Sequence, residues 1–274
     1  MQWEATTQSQ KTDTKNIKGL SMSNNLALDA MQFARKIHAE QRRKYTNNPY
    51  TDHLAEVAGI VATVSGLHPS AQVTLAVAWL HDTVEDQGVS DQTLLNRFGY
   101  EVMRGVMLLS DLETGNRVQR KEASRNRLSG APGWVQDIKV ADLISNISSI
   151  VMHDPKFAVV YLEEKRLLLD VLTAANPALL SIARTKLLMN SQKVYGKIIA
   201  EIKYPRTVDY SFVNRESLIA SFLNETIRRF HADDREELFM LLKNRLTHSD
   251  ISDDDRAMLD RAYDRARREF VDEE

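Results

Sequence analysis

Apolar residues recur at helical spacing along almost the whole chain, and no alternating stretch of useful length interrupts them. A period near 3.6 places apolar side chains on one face of a helix, whereas a half-buried strand needs a period of two. Leu26, Ala30, Phe33, Ala34 and Ile37 form one stripe, and Leu54, Val57, Ala58, Ile60, Val61 and Val64 form the next. Val73, Leu75, Ala76, Ala78, Trp79 and Leu80 are apolar nearly all round, as expected of a central buried helix. Further helices are expected near 90–97, 99–110, 117–128, 134–152, 156–173 and 177–203. Ten glycines and six prolines in 274 residues leave few breakers. The loops they do mark are Asn47-Asn48-Pro49 and Gly130-Ala131-Pro132-Gly133. The expected fold class is all-α.

Three regions follow from the change of character along the chain. Residues 1–22 are polar and aperiodic and read as a flexible leader. Met22 offers an alternative start, and Ser23 a helix N-cap. Residues 23–204 carry the apolar stripes. From 205 to 274 apolar residues alternate with dense charge, with Asp-rich starts and Arg-rich ends that complement the helix dipole, and this reads as a C-terminal helical extension. Its stripes, Leu218, Phe222 and Ile227, then Leu238, Leu241 and Leu242, need a partner surface. That surface is expected on the preceding domain or on a second copy, giving a homo-oligomer through these helices.

Composition narrows the chemistry. The chain has no cysteine, which excludes disulfides and thiolate sites, so any metal must sit on imidazole and carboxylate. A net charge of -2 gives no global pull toward nucleic acid or an anionic membrane, and no basic face with aromatic platforms suggests nucleic-acid binding. No apolar run approaches the roughly 18 residues of a membrane span, and the first residues lack an apolar signal core. A cytoplasmic location is expected.

The segment Leu80-His81-Asp82-Thr83-Val84-Glu85-Asp86 follows the most apolar helix. Adjacent imidazole and carboxylate can chelate one divalent ion. Glu85 and Asp86, three and four residues beyond Asp82, share its helix face and can orient or deprotonate a water. The plain alternative is a helix-terminal histidine before a solvated acidic turn. Two residues weigh against that alternative. His53 follows Pro49-Tyr50-Thr51-Asp52 and opens an apolar stripe. Asp142 lies within Ile138-Lys139-Val140-Ala141-Asp142-Leu143-Ile144, where a buried carboxylate is costly unless paired or metal-bound. Lys139, Asp142, Asn146 and Ser149 share one helix face, which fits a cavity at least as well as solvent. The clusters Gln41-Arg42-Arg43-Lys44 and Arg117-Val118-Gln119-Arg120-Lys121 could grip phosphate or could be solvated surface.

Together these segments resemble the hydrolase domain of the RelA/SpoT family, especially its stand-alone small alarmone hydrolases. The resemblance runs in order through Phe33-Ala34, His38, Gln41, Arg43-Lys44, Pro49-Tyr50, His53, His81-Asp82, Glu85-Asp86, Lys139, Ala141-Asp142 and Asn146. It implies an HD-domain helical bundle and a manganese-dependent hydrolase that removes the 3′-pyrophosphate of guanosine tetra- and pentaphosphate. By that resemblance His53, His81, Asp82 and Asp142 would bind Mn2+, and Glu85 and Asp86 would position the attacking water. Arg43, Lys44 and Asn146 would contact the nucleotide, with Arg117, Arg120 and Lys121 as further phosphate contacts. The chain departs from the family at Leu143, where a basic residue is usual, and at Ser145, where an aromatic residue or histidine is usual; both positions are expected beside the nucleoside. Another nucleotide, such as an adenosine alarmone or NADPH, is the competing substrate. A nucleotide-binding regulator without turnover is the competing class.

Overall fold

The computed structural model describes residues 26–66, 70–203 and 253–271, with 216, 220, 223, 224, 240 and 243 between them. The described elements are α1 (Leu26–Ile37), α2 (Tyr50–Ser65), α3 (Ser70–Leu80), α4 (Thr83–Gln87), α5 (Asp91–Phe98) and α6 (Tyr100–Leu109). They continue with α7 (Arg117–Ser129), α8 (Gly133–His153), α9 (Pro155–Val171), α10 (Pro177–Lys203) and α11 (Asp253–Val271). Among the described residues there is no strand; one isolated antiparallel bridge joins Arg42 to Pro49. The all-α expectation holds. Ser23 and the stripes of Leu218 to Leu242 lie outside the described residues.

Two helices form the heart of the bundle. In α3, Ala71, Thr74, Ala76, Val77, Ala78 and Leu80 are buried. This helix packs on α1, α2, α6 and α8, which explains why it is apolar all round. In α8, Val135, Ile138, Val140, Ala141, Leu143, Ile144 and Ile147 are buried between α2, α9 and α10. The buried polar residues of these two helices, Thr74, Gln136, Asp142 and Ser145, each have a hydrogen-bond or ion-pair partner.

Three helix starts follow local capping chemistry. Ser90 accepts the Thr93 N–H at the start of α5. Asn116 and Gln119 form a reciprocal capping box at the start of α7. Asp154 caps α9, with Pro155 following in the first turn. The end of α9 is different. The helix stops at Val171 rather than at 173, because α8 captures the backbone beyond it. Gln136 Oε1 accepts the Ala174 N–H at 2.9 Å, and Asp137 Oδ1 accepts the Asn176 N–H at 2.5 Å. The Gln136 amide also donates to the carbonyls of Leu128 and Ala131, so one buried side chain ties the end of α7 to the α9–α10 turn.

Candidate metal centre

Two turns and one helix bring the centre together. His53 stands in the first turns of α2, His81 and Asp82 form the bend between α3 and α4, and Asp142 lies midway along α8. His53 is 1% exposed and His81 2%, so both rings are withdrawn from solvent. His81 Nδ1 lies 2.8 Å from the Ala78 carbonyl, one of the free acceptors at the C-terminal end of α3. His53 Nδ1 lies 2.9 Å from Ser145 Oγ. With both Nδ1 atoms engaged, both Nε2 atoms turn inward, buried and without a hydrogen-bond partner.

Around those nitrogens the carboxylates converge. Asp82 Oδ2 is 2.9 Å from His81 Nε2 and 3.6 Å from His53 Nε2. Asp142 Oδ1 is 3.4 Å from His53 Nε2. One ligand atom from each of His53, His81 and Asp82 falls within 4.8 Å of the others, and Asp142 adjoins through His53. Two inward imidazole nitrogens beside carboxylate oxygens match the donor preferences of a divalent ion that takes mixed nitrogen and oxygen ligands. The Tyr50 hydroxyl donates to Asp82 Oδ2 at 2.7 Å and keeps its proton firmly, through burial first and then the charges of Asp82 and Asp86.

The local field favours anionic carboxylates. Burial alone would raise Asp142, but the Lys139 charge and the adjoining His53 ring hold it well below the usual carboxylate range. Lys139 Nζ lies 3.2 Å from Asp142 Oδ2. Burial works against the Lys139 charge, but Asp142, Asp111, Asp82 and Glu85 together raise its pKa. Burial likewise opposes a charged His53, yet the Asp142 and Asp82 carboxylates beside its Nε2 prevail and raise it to about 9. The centre is built to hold positive charge.

Glu85 and Asp86 stand on α4, one turn from Asp82, and both are exposed. Glu85 Oε2 accepts the Asp111 N–H at 3.0 Å, and Asp86 Oδ2 accepts from Gln41 Nε2 at 2.8 Å. Asp111 is fixed in turn by Lys121 at 2.8 Å, Ser124 at 2.7 Å and Arg127 at 2.9 Å. Gln41 also accepts from Gln87 Nε2 and contacts His38 Nδ1. The acidic pair is therefore oriented from two sides of the centre.

Arg43 and Lys44 occupy the loop between α1 and α2. This loop closes through Arg43 N–H to Asn48 O and Tyr50 N–H to Gln41 O, with Asn47 at φ 58°, a conformation asparagine tolerates. Arg43 Nη2 donates to Asn146 Oδ1 at 2.6 Å, and Asn146 Nδ2 donates to Asp142 Oδ1 at 2.6 Å. Arg43 and Asn146 thus adjoin the centre as one chain of hydrogen bonds. Lys44 is exposed, with its ammonium 5.1 Å from the Tyr45 ring centroid. Arg117 makes a two-pronged pair with Glu164 at 2.7 and 2.8 Å, and Arg120 donates to the Gly115 carbonyl. Of those three cations, Lys121 connects to the acidic pair, through Asp111.

The two departures separate in space. Leu143 is 1% exposed and belongs to the apolar core. Ser145 faces His53. Sequence reasoning gave no role to Ser145, Glu56, Asp111 or Tyr50. Tyr50 had a signal in its fixed place before His53, whereas the others act across long sequence separations.

Residues 30–145 match the model of the HD domain, a span that contains all four candidate ligands. The guanosine-3′,5′-bis(diphosphate) 3′-pyrophosphohydrolase MESH1 of Homo sapiens is 32% identical over 130 residues, covering 47% of this chain and 72% of that protein. Its counterpart in Xenopus tropicalis is 30% identical over 132 residues, covering 48% of this chain and 73% of that protein. This chain belongs to the HD-domain small alarmone hydrolase family. A solved structure of a metazoan SpoT ortholog, described as hydrolysing ppGpp, superposes with a TM-score of 0.55 at 23% identity. It covers 60% of this chain and 94% of its own, a likeness of fold. As a small alarmone hydrolase relative, the chain carries additional helical sequence beyond the matched span, including α9, α10 and α11.

Proposed function

We propose that the protein is a manganese-dependent (p)ppGpp 3′-pyrophosphohydrolase, releasing GDP or GTP and intact pyrophosphate. The observation that carries this reading is the convergence of two buried, unpartnered Nε2 atoms on Asp82, with a carboxylate pair one turn away. His53, His81, Asp82 and Asp142 would hold the ion. A divalent ion there supplies Lewis-acid charge and lowers the pKa of water.

The remaining chemistry belongs to the chain. Water attacks the phosphorus bonded to the 3′ oxygen, that P–O bond breaks, and the 3′ oxygen leaves with a proton. Glu85 and Asp86 orient the water and take one proton from it, and that proton passes on to the departing 3′ oxygen. Desolvation first, then the charges of Asp111 and Asp82, raise the Glu85 carboxyl against the Asp111 backbone hydrogen bond and the Lys139 charge. Lys139 offsets negative charge beside Asp142. Arg43 and Asn146 contact the nucleoside, and Lys44, Arg117, Arg120 and Lys121 form the surrounding cationic loop and helix.

The test is a panel of ppGpp, pppGpp, adenosine alarmones and NADPH with Mn2+, Mg2+ or Zn2+, read by chromatography of products. GDP plus pyrophosphate from ppGpp, fastest with Mn2+, is the expected result. Rapid cleavage of an adenosine alarmone or NADPH without cleavage of ppGpp would replace the substrate. No turnover of any member would favour a nucleotide-binding regulator.

A further inference from the structure

Ser145 joins three partners that no local pattern would bring together. It is 9% exposed on α8, with His53 Nδ1 2.9 Å from its Oγ. Arg43 Nη1 approaches the same oxygen at 3.4 Å. Its own hydroxyl donates to Glu56 Oε2 at 2.5 Å, and Glu56 lies one turn after His53 on α2. An ionised carboxylate only accepts, and a guanidinium only donates. The single hydroxyl proton is therefore committed to Glu56, and the oxygen is left as an acceptor for His53. In the neutral ring His53 then carries its proton on Nδ1, and Nε2 keeps the lone pair a metal needs.

We propose that Glu56 and Ser145 are positioning residues that set the tautomer and ring orientation of His53 for a divalent ion. The inference rests on the metal reading above and concerns how this chain presents one ligand. The two histidines meet different needs. His81 follows the end of α3, where a free backbone carbonyl at Ala78 fixes Nδ1. His53 lies near the start of α2, where free N–H groups are available but free carbonyls are not. A side-chain acceptor must be brought from another helix, and Ser145 is that acceptor. Without Glu56 the hydroxyl can rotate and donate to Nδ1, which puts the ring proton on Nε2 and removes the ligand. Outer hydrogen bonds of this kind typically change metal affinity by about ten- to a hundred-fold.

The test uses the full chain stripped of metal and titrated calorimetrically with Mn2+, without nucleotide. The variants are Ser145→Ala, Ser145→Thr and Glu56→Ala, each with a melting curve of the metal-free protein. Ser145→Ala is expected to weaken Mn2+ by about ten- to a hundred-fold. Ser145→Thr, which keeps the hydroxyl, is expected to bind within about three-fold of the parent, and Glu56→Ala to fall between them. Metal-free melting temperatures are expected to stay close to the parent's, so that a general loss of packing is not the cause. Equal affinity in the parent and Ser145→Ala would overturn this inference alone. Loss in Ser145→Thr equal to that in Ser145→Ala would also overturn it, because the hydroxyl would then be irrelevant. Absence of any Mn2+ binding in the parent would overturn the metal reading and this inference together.

Discussion

Lys165 is held in the field of two neighbouring cations, Lys139 and Lys121. Burial first, then the charges of Lys139 and Lys121, pull its pKa from 10.5 down to about 8. Because the folded value is depressed, keeping the proton costs the folded state. Stability from this group is therefore gained as pH rises from about 8 toward 10.5 and is absent below 8. A nitrogen-detected NMR titration of labelled lysines is expected to show one amine titrating near 8, missing in Lys165→Met. All lysines titrating together near their usual value would contradict this. The ligand residues make a second expectation. His53→Ala and Asp142→Ala are each expected to lose stoichiometric Mn2+, since the ligands come from different elements and none is spare. Full occupancy by metal analysis in both variants would remove the assignment. Glu85→Gln and Asp86→Asn are expected to retain metal while turnover falls by about a hundred- to ten-thousand-fold, the usual worth of a positioned base. Loss of metal from either amide variant would instead make that residue a ligand. At this scale the sequence marked His53, His81, Asp82 and Asp142 as candidate ligands through their types, their apolar surroundings and the family resemblance. It could not show Glu56 meeting Ser145 across 89 positions, or Glu85 meeting the Asp111 backbone, because those contacts exist only after α2, α4 and α8 have packed.

Among elements, α8 has the most to position, and its first residue is tightly constrained. A Cβ placed on Gly133 would lie 2.5 Å from the Ala174 carbonyl oxygen, a backbone atom that cannot swing aside. Gly133→Ala is expected to destabilise by about 1–3 kcal/mol through forced backbone shifts. Differential scanning calorimetry is expected to show a lower melting temperature, by about 2–4 °C per kcal/mol for a chain of this size. An unchanged or raised melting temperature would mean that the α9–α10 turn is free to move. The helices themselves were legible because 3.6-residue periodicity survives wherever one face is buried. The end of α9 was not, since Gln136 and Asp137 stop it from another helix. Nor was Leu143, whose place in the core follows from the turn of α8 rather than from its neighbours in sequence.

At the scale of the whole chain, the C-terminal residues carry a second buried apolar stripe. In α11, Leu259, Ala262, Tyr263 and Ala266 are buried at helical spacing, and Ala220 and Leu223 are buried before it. Arg261 pairs with Glu216 at 3.0 Å, and Lys243 with Asp260 at 3.3 Å. We propose that residues 205–274 form a packed helical extension to the hydrolase domain at 23–204. A chain ending at Tyr204 is expected to melt lower or to change its oligomeric state by light scattering; identical behaviour in both would make the extension independent. No described helix is long and apolar enough to cross a membrane. The measurement that bears most directly on the proposed activity is phosphorus NMR of ppGpp incubated with the protein and Mn2+ in 18O-enriched water. Intact pyrophosphate carrying the label, beside GDP with an unlabelled 3′ hydroxyl, is expected from attack at the 3′-linked phosphorus. Orthophosphate as the only small product, or label in the nucleoside, would contradict it.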